Sequence, residues 1–238
     1  MRVRIAILAA MGLALAGCTP VDRISEGRHV RRGLHRVADA LARDEIGVAV
    51  HTASELVRAH PDSWDAAAGC AALFQERKSY LVALAYYERA WKVRPEPYVA
   101  QAMAICIWHP GARLERRQVA KVRAVYDAAL EKWPRDPLLL NDYAYFLADL
   151  GIDTPQALEM AKRAVRLGPT NAATLDTLAW AYHRSGDQRS AYRLLERALK
   201  IDGSSRELRS HMAQVCRGLG LVKRTQVEEW KAALLSQG

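Results

Sequence analysis

The sequence lacks the short motifs around which catalytic chemistry is most often built. It has no HExxH, no GxSxG, no phosphate-binding GxxxxGK[ST] and no GxGxxG. His51 and Glu55 share a helical face, but no second histidine stands at the spacing a metal helix needs. Carboxylates are scattered rather than paired in apolar surroundings, so general acid–base chemistry has no foothold. The expectation is a protein that is not an enzyme, with no catalytic, cofactor-binding or metal-binding residue to assign.

Cysteine is also scarce. Four occur, at Cys18, Cys70, Cys106 and Cys216, with no CxxC, CxxCH or zinc-type spacing. Cys18 has a separate reading, given below, and the three others are too few and odd in number for a full disulfide framework. Each lies on an apolar helical pattern and reads as a small buried hydrophobe. A Cys70–Cys106 bridge stays open in an oxidising compartment, because the two fall on successive first helices.

Long apolar runs are missing beyond the N-terminus. Residues 1–17, MRVRIAILAAMGLALAG, join a charged start at Arg2 and Arg4 to an apolar run from Ile5 to Ala16. The run is too short to stay across a bilayer and reads as an export signal. It ends in Leu15-Ala16-Gly17-Cys18, which resembles the bacterial lipobox. That resemblance implies cleavage before Cys18 and acylation of Cys18, with two or three chains giving near-permanent anchoring. Thr19, where an aspartate would favour inner-membrane retention, implies the outer membrane facing the periplasm. Residues 18–28 then form the lipidated N-terminus and a polar tether.

The formal charge is +9, and it falls to +7 once Arg2 and Arg4 are removed with the signal. On an exported, membrane-tethered chain such a balance argues against nucleic acid and towards anionic lipid, cell-wall polymer or an acidic protein surface. Basic stripes occur at Arg113, Arg117 and Lys121 and at Arg189, Arg193 and Arg197. Their plain reading is a solvated outer face. Arg28, Arg31, Arg32 and Arg36, nearest Cys18, are the better candidates for membrane contact.

What dominates residues 29–238 is a repeat. Pro61, Pro95, Pro134, Pro169 and Gly203 each close a helical run, at gaps of 34, 39, 35 and 34 residues. Alanine pairs seven residues apart precede the stops, at Ala83 and Ala90, Ala157 and Ala164, and Ala191 and Ala198, with large neighbours such as Phe74, Tyr87, Tyr182 and Leu195. The most regular copy spans 172–203, with Leu175, Leu178, Ala179, Tyr182, Gly186, Ala191, Leu195 and Ala198. Looser units fall near 30–61, 64–95, 98–134 and 137–169. The third carries about five extra residues near His109–Leu114, and a degenerate cap follows at 206–235.

This pattern resembles the tetratricopeptide repeat (TPR), a 34-residue helix-turn-helix unit. The expected fold class is all-α, an α-solenoid of about five such repeats plus a C-terminal capping helix pair. The resemblance implies a protein or peptide partner held in a concave groove lined by first helices. Its groove positions fall on Asn141, Tyr145, Asp176, Trp180, His183, Arg184, Gln214 and Arg217. Aromatic, amide and cationic groups together suit a peptide, although Trp180 and Tyr145 also suit packing between repeats. The implied role is a membrane-tethered interaction scaffold of the bacterial envelope that serves assembly of a pilus, secretin or other export machine. The alternative is an adaptor or regulator of a cell-wall enzyme or periplasmic chaperone complex. Oligomeric state is not legible.

Overall fold

The computed structural model describes residues 20–108, 116–168 and 170–235, with side chains from Gly27 onward. The signal segment 1–17, Cys18, Thr19, the connection at His109–Leu114 and the stop at Pro169 lie outside the described residues. Among the described residues the chain forms twelve helices and no strand. They are α1 (Pro20–Ala42), α2 (Ile46–Ala59), α3 (Trp64–Glu76), α4 (Tyr80–Val93), α5 (Pro97–Ile107), α6 (Arg116–Lys132), α7 (Pro137–Leu150), α8 (Thr154–Leu167), α9 (Ala172–Arg184), α10 (Gln188–Ile201), α11 (Arg206–Gly218) and α12 (Val222–Leu234). The all-α class holds, and no described helix is long and apolar enough to cross a membrane.

Helix ends follow local chemistry. Ala59, Val93, Lys132 and Ile201 each stand two residues before Pro61, Pro95, Pro134 and Gly203, where a helix cannot readily continue. The first helices of four units begin at side-chain caps. Ser63 accepts from Ala66 N, Asp136 from Leu138 N and Leu139 N, Asn171 from Thr174 N and Ser205 from Leu208 N. Each satisfies amides a helix start leaves open, worth about 1 kcal/mol. Within the hairpins, tight turns use left-handed residues: Asp44, Lys78, Gly151 and Asp153, Gly186 and Gly220.

Helix α1 starts earlier than the sequence pattern suggests. The polar segment expected as a tether is helical from Pro20. Proline suits a first helical turn, and only Gly27 weakens the stretch that follows.

The chain divides into two compact units, Met1–Val125 and Tyr126–Gly238. In the first, α1 to α4 bury Val37, Ala49, Ala53, Cys70, Phe74, Ala83, Tyr87 and Ala90, joined by Val99 of α5. Phe74 stacks on Tyr86 at 5.8 Å, and the Tyr87 hydroxyl donates to Gln75 Oε1 at 2.7 Å. In the second unit Leu139, Leu140, Tyr143, Phe146, Leu147, Leu175, Leu195 and Met212 are fully buried. Tyr126 stacks on Tyr143 at 4.9 Å. The alanines at 157, 164, 191 and 198 are all 0% exposed, as close helix approach requires.

Cys70, Cys106 and Cys216 are buried free thiols. Burial pushes Cys70 and Cys106 up to about 12 and also raises Cys216.

Candidate functional site

The first helices α7, α9 and α11 carry a polar row at one repeat register: Asn141, Asp176 and His211, each 35 residues apart. All belong to the second unit. Asp176 and His211 meet directly, Oδ1 to Nδ1 at 2.8 Å, and both side chains are nearly buried. Trp180 lies one turn beyond Asp176. Its ring stacks on His211 with centroids 4.2 Å apart and on His183 with centroids 4.8 Å apart. Tyr145 of α7 leans on His211 at 6.3 Å, and its hydroxyl donates to Glu207 Oε1 at 2.9 Å. Glu207 and His211 stand one turn apart on α11, on the rim of an open cleft of roughly 590 Å³ that Arg206, Ser210, Ala232 and Ala233 also line.

The remaining expected groove residues are placed differently from one another. His183 is fixed by Gln188, through Nδ1 to Oε1 at 2.7 Å and a donated bond from Gln188 Nε2 to the His183 carbonyl. Arg184 is exposed and its guanidinium covers Gly151, the left-handed cap of α7. There it sits at the negative end of that helix. A Cβ at Gly151 would fall 2.1 Å from Arg184 Nη2. Arg217 pairs with Glu229 of α12, and Gln214 is half-buried. Asn141 donates to Asp142 at 3.3 Å, while its Oδ1 is buried without a hydrogen-bond partner. The indole N–H of Trp180, in a residue 5% exposed, is likewise unpartnered. Trp180, expected in the groove, is therefore placed as a packing residue.

Sequence reasoning missed Glu207 and His211, which complete the cluster. The signal was present: the step from Asn141 to Asp176, repeated once, lands on His211.

Electrostatics follow from burial. Burial alone would lower the His211 imidazole, but the hydrogen bond and charge of Asp176, with Glu207 and Asp149 behind, outweigh it and raise the value above the usual 6.5. The Trp180 face favours the same charged form. Burial raises the Asp176 carboxyl against the opposing pull of His211. Burial, then the Glu207 charge, also raises the Tyr145 hydroxyl. Asp176, Glu207 and His211 each offer one metal-ligand atom, all within 4.8 Å of one another. Both carboxylates are already hydrogen-bonded, so a cation there would have to displace the bonds to His211 and Tyr145.

A pH dependence of stability follows. The unfolded imidazole loses its proton near pH 6.5, whereas the folded one holds it to higher pH. The stabilisation is fully present below about pH 6.5 and is lost as pH rises through the folded value. Urea unfolding between pH 6 and 8.5 should show this decline, and His211→Phe combined with Asp176→Asn, which leaves no unpartnered buried carboxylate, should flatten it. Equal slopes for the two proteins would refute the assignment to His211.

No family model matches the sequence, and no curated protein matches it. Solved structures do. The chain is similar to a chain of the APC/C hetero-tetramer Cut9–Hcn1, with 17% identity and a TM-score of 0.67 over 91% of this chain and 42% of that one. It is similar to a tetratricopeptide repeat protein from Parabacteroides merdae, with 12% identity and a TM-score of 0.67 over 84% of this chain and 77% of that one. It is also similar to PilW, described as a widely conserved type IV pilus biogenesis factor, with 15% identity and a TM-score of 0.63 over 85% of this chain and 91% of that one. The chain thus spans less than half the length of the first of these. At such identities the likeness shows the fold, an all-α array of TPR-type helical hairpins.

Proposed function

We propose that this chain is a membrane-tethered TPR scaffold of the bacterial envelope that holds a protein or peptide partner against α7, α9 and α11 and serves assembly of a pilus, secretin or related export machine. The observation that carries the reading is the convergence of Tyr145, Asp176, Trp180, Glu207 and His211 on successive first helices, beside an open cleft. Aromatic walls supply contact area, and the polar atoms fix orientation. The unpaired Trp180 N–H and Asn141 Oδ1 are a donor and an acceptor of the kind a peptide backbone satisfies. The likeness to PilW, over most of both chains, supports the pilus or export setting. Outer-membrane tethering is supported by Leu15-Ala16-Gly17-Cys18 and by Thr19.

Two experiments test this. Photocrosslinkers placed at Tyr145 and Arg184 in cells should capture a discrete partner, identified by mass spectrometry. Capture only from outer-face positions such as Arg193 would overturn the groove assignment. Separately, Cys18→Ser should release the protein from the membrane fraction. Continued pelleting after a high-salt wash would sink the lipid anchor while leaving the groove untouched.

A further inference from the structure

Helix α1 has two unlike sides. One packs into the first unit through Val30, Val37, Ala40 and Leu41, all at most 4% exposed. Its close approach is enforced by contact geometry: a Cβ on Gly33 would fall 2.4 Å from Leu56 Cδ1, and one on Gly69 of α3 would fall 2.7 Å from Leu34 Cδ1. That side is used up, so the opposite side must face outward. It carries Arg28, His29, Arg31, Arg32, His35 and Arg36, all exposed, in a nine-residue stretch without a carboxylate. On the same helix the stretch is bounded by Glu26, two residues before Arg28, and by Asp39, three residues after Arg36. Arg43 is already paired with Glu45 at 3.0 Å, and Asp44 with Arg77 at 3.0 Å.

We propose that this arginine face of α1 docks on anionic lipid headgroups, so that the first unit lies against the membrane through a fixed basic surface. Charge complementarity is one argument. Position is the other, because Cys18, the proposed lipid-bearing residue, stands only two residues before α1 begins at Pro20. Arg28 is about 12 Å along the helix from Pro20, on the scale of the screening length in dilute salt. Because the stretch from Pro20 is helical, the arginines are carried on a rigid element rather than on a loose tether. A basic side chain held near an anionic leaflet raises partition about fivefold. The inference rests on the proposed function only in placing a membrane beside the chain, and it does not involve the groove.

The test uses the full chain carrying Cys18→Ser, which removes any acyl anchor. Partition is measured by co-sedimentation with neutral phosphatidylcholine vesicles and with vesicles containing phosphatidylglycerol. The readout is the ratio of the two, compared between variants that share the same N-terminus, so that its apolar run and the charges of Arg2 and Arg4 cancel. The expected ratio is well above ten at 100 mM salt and drops steeply at 500 mM. Arg28→Gln, Arg31→Gln, Arg32→Gln and Arg36→Gln together should lower it at least tenfold, whereas the four matching lysine replacements should preserve it and show that the fold is intact. Removing the same charge from α10, by Arg189→Gln, Arg193→Gln, Arg197→Gln and Lys200→Gln, should leave the ratio unchanged. A wild-type ratio near one overturns the proposal. So does an equal loss from the α10 variant, which would mean net charge rather than a face. Neither outcome touches the crosslinking result, so failure here is distinguishable from failure of the scaffold reading.

Discussion

Glu228→Ala should destabilise the second unit by about 3–5 kcal/mol, although it removes an acid from a chain that is already strongly basic. Glu228 is 0% exposed on α12. Arg209 of α11 donates to its Oε2 at 2.7 Å and also to the Gly203 carbonyl at 2.9 Å, while Arg224, one turn earlier on α12, approaches Oε1 at 2.9 Å. The carboxylate thus ties α12 to α11 and, through Arg209, to the preceding turn. Without it the Arg209 side chain, 16% exposed, is left as a half-desolvated cation. Arg224 is 44% exposed and contributes less, because water screens it. The check is urea unfolding, with Arg209→Met added to Glu228→Met as the control that removes both charges. That double variant should recover much of the loss. A single Glu228→Ala within about 0.5 kcal/mol of wild type would show that α12 is not held by this pair.

Trp180→Ala should cost a similar amount, about 3–5 kcal/mol, since it removes a ring that is 95% buried and stacked on two imidazoles. Trp180→Phe keeps a ring over His211 and should lose much less. The pair of variants separates two roles the sequence left together. Were the alanine variant close to wild type in stability but deficient in partner capture, Trp180 would be a contact residue and its burial incidental. Loss of stability in Trp180→Ala, with capture preserved in Trp180→Phe, makes the ring the floor under a site whose accessible edge is Tyr145, Glu207 and Arg184.

Helix boundaries and the close-packed positions were legible because they are local. Pro61, Pro95 and Pro134 forbid continuation wherever they occur, and Ala191 and Ala198 mark the face of α10 that a neighbour must approach. The site was half legible. The groove positions implied by the TPR resemblance include Asn141, Asp176 and Trp180, but the bond from Asp176 to His211 depends on which side chain the next repeat brings within reach. The last hairpin was the least readable. Val227 and Trp230 of its second helix are 44% and 62% exposed, whereas Glu228 is buried. A buried acid there makes sense only with Arg209, nineteen residues earlier on another helix. The run from Pro20 to Arg28 reads as a tether, yet it is helical, because polarity alone does not distinguish a solvated helix from a coil.

The three enclosed thiols have a practical consequence. Cys70 and Cys106, held near 12, present almost no thiolate at neutral pH, and Cys216 is shifted the same way with no exposed surface. Maleimide or a spin label applied to the native protein will pass over all three. A single cysteine engineered at Arg184 or Arg32 then becomes an addressable handle among the described residues. The proposed groove and the arginine face of α1 can each be labelled by site and followed by fluorescence or electron resonance without first stripping the core of its sulfur.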